Sequence, residues 1–195
     1  MLKMINSSLL YDKLAKECQK TGNGQALTNF WVALYAEESC SELNRIFVLP
    51  KEEYLRKLKQ CTEPHIKKLE DCLSETYKFY PKFVNSLAES LINFLYQHMN
   101  FKTLTPKSDL VNCLQRIKSV GGIQSNLLSC LKNRFQNETF DFENPDRTAI
   151  CKLLGQVNDC IRNFVNNTCV ADIAVDTVLG NFTLAIEAPC SNITN

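Results

Sequence analysis

The sequence predicts an all-helical, disulfide-braced bundle of about seven to nine helices, and three observations carry that expectation. Apolar residues recur three and four apart almost throughout the 195 residues, and no segment holds strict alternation for several turns. Ten cysteines, an even number, are spread along the chain. Between the periodic stretches, turn-forming residues gather in short clusters: TGNG at 21–24, TPKSD at 105–109 and NETFDFENPD at 137–146.

Each element follows from its own residues. Ser7 or Ser8 can cap a first helix bearing Leu10, Leu14 and Cys18. The TGNG cluster ends it, and Ala26, Leu27, Phe30, Trp31, Leu34 and Tyr35 make the stripe of a second helix. Pro50 opens a charged helix, which Pro64 is expected to interrupt before it resumes through Leu69 and Cys72. From Pro81 to Met99 the chain is most apolar; at 100° per residue, Phe83, Leu87, Leu91, Ile92, Phe94, Leu95 and Met99 cover about half the circumference. Ser108 is the expected cap of a helix with Leu110, Val111, Leu114 and Ile117, which Gly121 and Gly122 end. Ile123, Leu127, Leu128, Leu131 and Phe135 form the next stripe. After the polar 137–146 loop come two last helices, from about Thr148 to Asn166 and from about Asp172 to Ile186. There is no repeat, low-complexity tract or linker, so residues 1–195 are read as a single cysteine-rich helical domain.

Charge is nearly balanced, 22 Lys plus Arg against 21 Asp plus Glu, so no overall field exists to draw in nucleic acid. The runs KEEYLRKLKQ and HIKKLE mix both signs and read as solvated helix faces. The longest uninterrupted apolar run, FWVALYA, is far too short for a membrane span. No leader with an apolar core is visible in MLKMINSSLLYDK. The chain is therefore expected to begin near the mature end of a secreted protein, or to be truncated, rather than to be cytosolic.

That preference rests on sulfur and on asparagine. Ten cysteines in a chain long enough to fold without staples favour an oxidising compartment: Cys18, Cys40, Cys61, Cys72, Cys113, Cys130, Cys151, Cys160, Cys169 and Cys190. On a helix Cys151 and Cys160 stand about 13.5 Å apart along the axis and on opposite faces, whereas a disulfide needs Cα atoms within about 7 Å. They cannot pair with each other and must reach different neighbours, while Cys169 ties down the turn that follows. The remaining pairing stays open, because ten thiols allow hundreds of connectivities. Zinc is disfavoured: no two cysteines lie closer than nine residues, and only His65 and His98 could assist. Five N-glycosylation sequons point the same way, at Asn6, Asn137, Asn166, Asn181 and Asn192. One alone is a weak motif; five exceed what chance comfortably supplies, and all are expected to face solvent.

Catalytic machinery is absent from the pattern. No nucleophile-elbow, zincin, dinucleotide, Walker or EF-hand string occurs. His65 follows a proline in a charged segment and reads as a surface side chain, and His98 falls within the apolar arc of residues 83–99. The adjacent pairs Glu37–Glu38 and Glu52–Glu53 point apart on a helix and do not make an acid and base. No enzyme, cofactor or metal is expected. The one positive idea is that Phe83, Leu87, Leu91, Phe94, Leu95, His98 and Met99 line a cavity between helices. The expected function is thus a non-catalytic carrier of a small apolar ligand or lipid, and the competing class is a secreted protein-interaction factor with a solid core.

The carboxyl end is more particular. The string CKLLGQVNDCIRNFVNNTC followed by ADIAVDTVLGNFTLAIEAPC, closing on Pro189-Cys190, resembles the end of the insect 27 kDa hemolymph glycoprotein family. The overlap spans Cys151 to Cys190; Cys61 to Cys130 fits by cysteine order alone, and the first 60 residues are unmatched. Nematode secreted proteins with a cysteine-rich helical domain share similar cysteine-to-cysteine helices. The resemblance implies a secreted, circulating, helical glycoprotein in which Cys151, Cys160, Cys169 and Cys190 are disulfide-bonded.

Overall fold

The computed structural model describes residues 8–35, 46–98, 109–120, 123–136 and 146–191. Among these residues there are eight α-helices and one 3₁₀ turn, and no strand. The chain divides into two compact units, Met1–Asn93 with Phe142–Arg147 and Phe94–Asp141 with Thr148–Asn195.

The first unit contains α1 (Ser8–Lys20), α2 (Gln25–Tyr35) and α3 (Lys51–Cys72), a 3₁₀ turn (Glu75–Tyr77), and α4 (Tyr80–His98) up to Asn93. Helix α1 ends as its sequence dictates. Gly22 takes a positive φ of 77°, and the Gly22 and Asn23 amides donate to the carbonyls of Gln19 and Cys18. That pair of bonds closes the last turn, and only a residue without a Cβ takes this backbone at no cost. Helices α2 and α3 pack together, with α1 against both. The Cys18–Cys72 disulfide joins the ends of α1 and α3.

Pro64 does not interrupt α3, which runs unbroken from Lys51 to Cys72. A proline inside a helix removes one hydrogen bond and crowds the preceding turn, a cost of about 3 kcal/mol. Here buried residues lie on both sides of it, Leu58 and Thr62 before and Leu69 and Cys72 after. The two halves are each held to the unit, so the helix bears the local penalty. Pro189 gives the same correction at the other end of the chain. The last helix was expected to stop near Ile186, yet it continues to Ser191 with Pro189 buried inside it.

The second unit contains the last turn of α4, then α5 (Asp109–Val120), α6 (Ile123–Gln136), α7 (Arg147–Thr168) from Thr148 onward, and α8 (Ile173–Ser191). Asp172 caps α8, its Oδ1 accepting from the Ala174 amide at 2.7 Å. Three disulfides knit these helices together: Cys113–Cys169, Cys130–Cys160 and Cys151–Cys190. Cys151 and Cys160 thus reach different partners, on α8 and α6, as their positions on opposite faces of α7 require. Cys169 fastens the turn between α7 and α8 to α5. The bridges close loops of 30 to 56 residues, and each contributes about 4 kcal/mol by restricting the unfolded chain. Cys61 is disulfide-bonded as well. Cys40, the caps expected at Ser7 and Ser108, the helix end expected at Gly121 and Gly122, and all but Asp146 of the expected 137–146 loop lie outside the described residues.

Candidate functional site

The arc expected to line a cavity divides between the units. Phe83 and Leu87 are buried in the first, with Leu91 half-buried. In the second, Phe94 is buried while Leu95 and His98 are half-buried; Met99 lies outside the described residues. Phe94 meets the edge of Phe182 on α8 at 5.3 Å between ring centroids, and His98 stands 5.2 Å from the Phe94 ring.

His98 is also engaged with α8. Its Nε2 lies 3.1 Å from Nδ2 of Asn181; the amide nitrogen only donates, so with Nδ2 at this position the ring is neutral and Nε2 accepts. Burial lowers the His98 pKa from its ordinary 6.5, which favours that state. Asn181 is half-buried, and the atom a glycan would occupy is the one committed to His98. The next two residues are equally committed: Phe182 packs on Phe94, and Thr183 donates toward Asn158 and the Leu179 carbonyl, at 3.1 and 3.0 Å. Asn158 on α7 is only 2 % exposed, and its amide donates to Glu187 at 3.3 Å. A buried amide of this kind is stable only with its partners in place. Sequence reasoning missed this network; the available signal was a polar residue one turn beyond Leu154 on the buried side of α7.

The other sequon whose structure is described differs. Asn166 and Asn167 are exposed on the last turn of α7, and Thr168 bonds its own helix at the Phe164 carbonyl. Asn166 lines a cleft of about 280 Å³ with Cys169, Val170, Ala171, Val175 and Asp176. A second, shallower depression lies on the outer side of α5, where Val170 meets Asn112, Gln115, Arg116 and Ser119. Asn6, Asn137 and Asn192 lie outside the described residues.

Among the described residues no group of three or more His, Cys, Asp or Glu side chains could hold a metal ion. His65 is half-buried rather than a surface side chain, and its Nδ1 has no hydrogen-bond partner. Desolvation, aided by Lys68, lowers its pKa. Glu52 and Glu53 pair with Lys51 and Lys57; Glu37 and Glu38 are outside the described residues. In the first unit Trp31 stacks on Tyr35 at 5.5 Å and meets Tyr80 edge-on at 6.5 Å. The Trp31 indole nitrogen and Tyr35 hydroxyl are buried without hydrogen-bond partners. Burial raises the pKa of both phenols, so they stay protonated and can donate but not act as bases. Only the apolar bodies of these rings were legible in the helical pattern.

Helix α8 has a second property. By length and composition it is apolar enough to cross a membrane, which a search for uninterrupted apolar runs overlooked because Asp176, Asn181, Thr183 and Glu187 punctuate it. In the structure Val175, Leu179 and Ile186 are buried, while Asn181, Thr183 and Glu187 hydrogen-bond to α4 and α7. Ile173 and Leu184, 84 % and 68 % exposed, stand about 20° apart on its outer face. No family model, curated protein or solved structure matches the chain.

Proposed function

We propose that the protein is a secreted glycoprotein that acts by binding rather than catalysis, and that its binding is done by its surface as a protein-interaction factor. Four intrachain disulfides support the extracellular compartment, since such bonds persist where thiols are not kept reduced. The carboxyl-terminal resemblance to the hemolymph glycoprotein family supports it too. The observation that carries the surface reading is the outer face of α8. Ile173 and Leu184 are open to solvent on a helix fastened just before its start by Cys113–Cys169 and at its end by Cys151–Cys190. These two residues stand about 16.5 Å apart along one face, and side chains presented on a rigid support lose little entropy on association.

A carrier of a small apolar ligand is the second reading, and Phe94 with its ring neighbours is where it would have to open. One experiment separates them. Protein purified from its natural fluid is examined by native mass spectrometry and by cross-linking, beside a secreted Ile173→Glu, Leu184→Glu variant. Surface binding requires an unliganded mass and a cross-linked protein partner that the variant loses. A retained apolar molecule, present equally in the variant, would instead establish the carrier.

A further inference from the structure

We infer that the cleft beside the α7–α8 turn is covered by the protein's own N-linked glycan at Asn166, and that Asn181 in the same unit carries none. The inference rests on the reading of this chain as a secreted glycoprotein and names the site and the role of the sugar.

The two sequons contain the same chemical signal in opposite settings. At 181–183 every residue is in use: the Asn181 amide on His98, the Phe182 ring on Phe94, the Thr183 hydroxyl on Asn158. A sugar on Nδ2 would take one of that nitrogen's two hydrogens, and it would have to be seated on a half-buried side chain beside the imidazole that the other hydrogen serves, 3.1 Å away. At 166–168 the acceptor amide is exposed, and the hydroxyl of Thr168 satisfies a carbonyl of its own helix without reaching another element.

What lies beside Asn166 fits a sugar. Asn166 is itself part of the cleft wall, so a glycan attached there begins inside the cleft without any loss of translational freedom. The cleft of about 280 Å³ is below the size of drug-sized ligand pockets and comparable to one pyranose ring. Its lining includes apolar side chains, among them Val170, which is 67 % exposed, and Ala171. The same lining includes Asp176, whose side chain is a carboxylate. A pyranose ring has a C–H face that can cover apolar side chains and edge hydroxyls that donate to a carboxylate. A covered Val170 would no longer present apolar surface at the turn, leaving Ile173 and Leu184 as the open part of α8.

The test uses the full chain secreted from a host that performs N-glycosylation. Glycopeptide mapping reads occupancy at Asn166 and Asn181; the folded protein is then compared before and after trimming to a single N-acetylglucosamine and after complete deglycosylation, with Asn166→Asp controlling for the charge that full removal leaves. Expected are an occupied Asn166, a bare Asn181, and amide exchange in 169–177 that rises several-fold on full removal and in Asn166→Asp but not on trimming to one sugar. A bare Asn166 in secreted, fully disulfide-bonded protein overturns the inference and leaves the proposed compartment standing. So does an occupied Asn181, or unchanged exchange in 169–177 on full removal. Failure of the compartment itself would show differently, as free thiols in protein from its native source.

Discussion

In the first unit the interior is filled by rings: Phe30, Trp31, Tyr54, Tyr77, Tyr80 and Phe83 are all buried. In the second, Phe94 is buried, Phe164 and Phe182 are half-buried, and Cys113, Cys160 and Cys169 stand among aliphatic side chains. An aromatic side chain buries about 150–250 Å², so the first unit removes more apolar surface per ordered residue. The second unit places an amide, Asn158, in its interior and ties its helices with three disulfides whose ends are all described. Cross-linking stabilises by limiting the unfolded chain rather than by adding contacts. The first unit buries a bridge of its own, Cys18–Cys72, so the contrast is one of balance: the first leans on rings where the second leans on bridges, and the two should lose most to different stresses.

Reduction is the stress with the largest expected effect. With a thiol reductant, amide exchange in α5 to α8 should accelerate before that in α2 and α3, because the second unit loses three bridges worth about 4 kcal/mol each, while the first loses Cys18–Cys72 and the Cys61 bridge but keeps its buried rings. Simultaneous loss in both units would break the comparison. The converse stress is a cavity among the apolar side chains. Leu69 is fully buried on α3, and Leu69→Ala should cost about 3 kcal/mol, seen as faster exchange in the first unit with the second unaltered.

A smaller effect sharpens the account of the second unit. Asn158→Ala removes the partner of both Thr183 and Glu187 and should cost about 2 kcal/mol in denaturant unfolding. Paired with Thr183→Val, the loss should be less than additive, since both variants break the same bond; full additivity would mean the network is not coupled. The smallest effect is that of pH. His98 has a lowered pKa in the folded protein, so the unfolded chain binds the proton more readily. The contribution of neutral His98 is complete above pH 6.5 and is lost as pH falls from there through the depressed folded value. The second unit's melting temperature should drop modestly below pH 6.5, and His98→Gln should flatten that dependence; an unchanged profile would remove His98 from the account.

Helices were legible because the three-four period of buried side chains is written in every element, and the end of α1 because Gly22 has a backbone only glycine takes freely. Pro64 was expected to interrupt its helix and does not, and the last helix runs on through Pro189. A local rule about proline says nothing of the buried side chains and the disulfides that hold a helix together on both sides of it. Sequence spacing forbade Cys151–Cys160, but it left the true partners open, since pairing depends on which helices lie side by side. The Asn181 sequon could not be told from the Asn166 sequon by motif. What separates them is His98, 83 residues away in the chain.

Thiol titration joined to peptide mapping without reduction, on protein freshly isolated from its native source, bears most directly on the cross-linked helical scaffold. The expected result is no titratable thiol and linked peptides for Cys18–Cys72, Cys113–Cys169, Cys130–Cys160 and Cys151–Cys190. Free thiols at these positions, or a peptide joining Cys151 to Cys160, would contradict it.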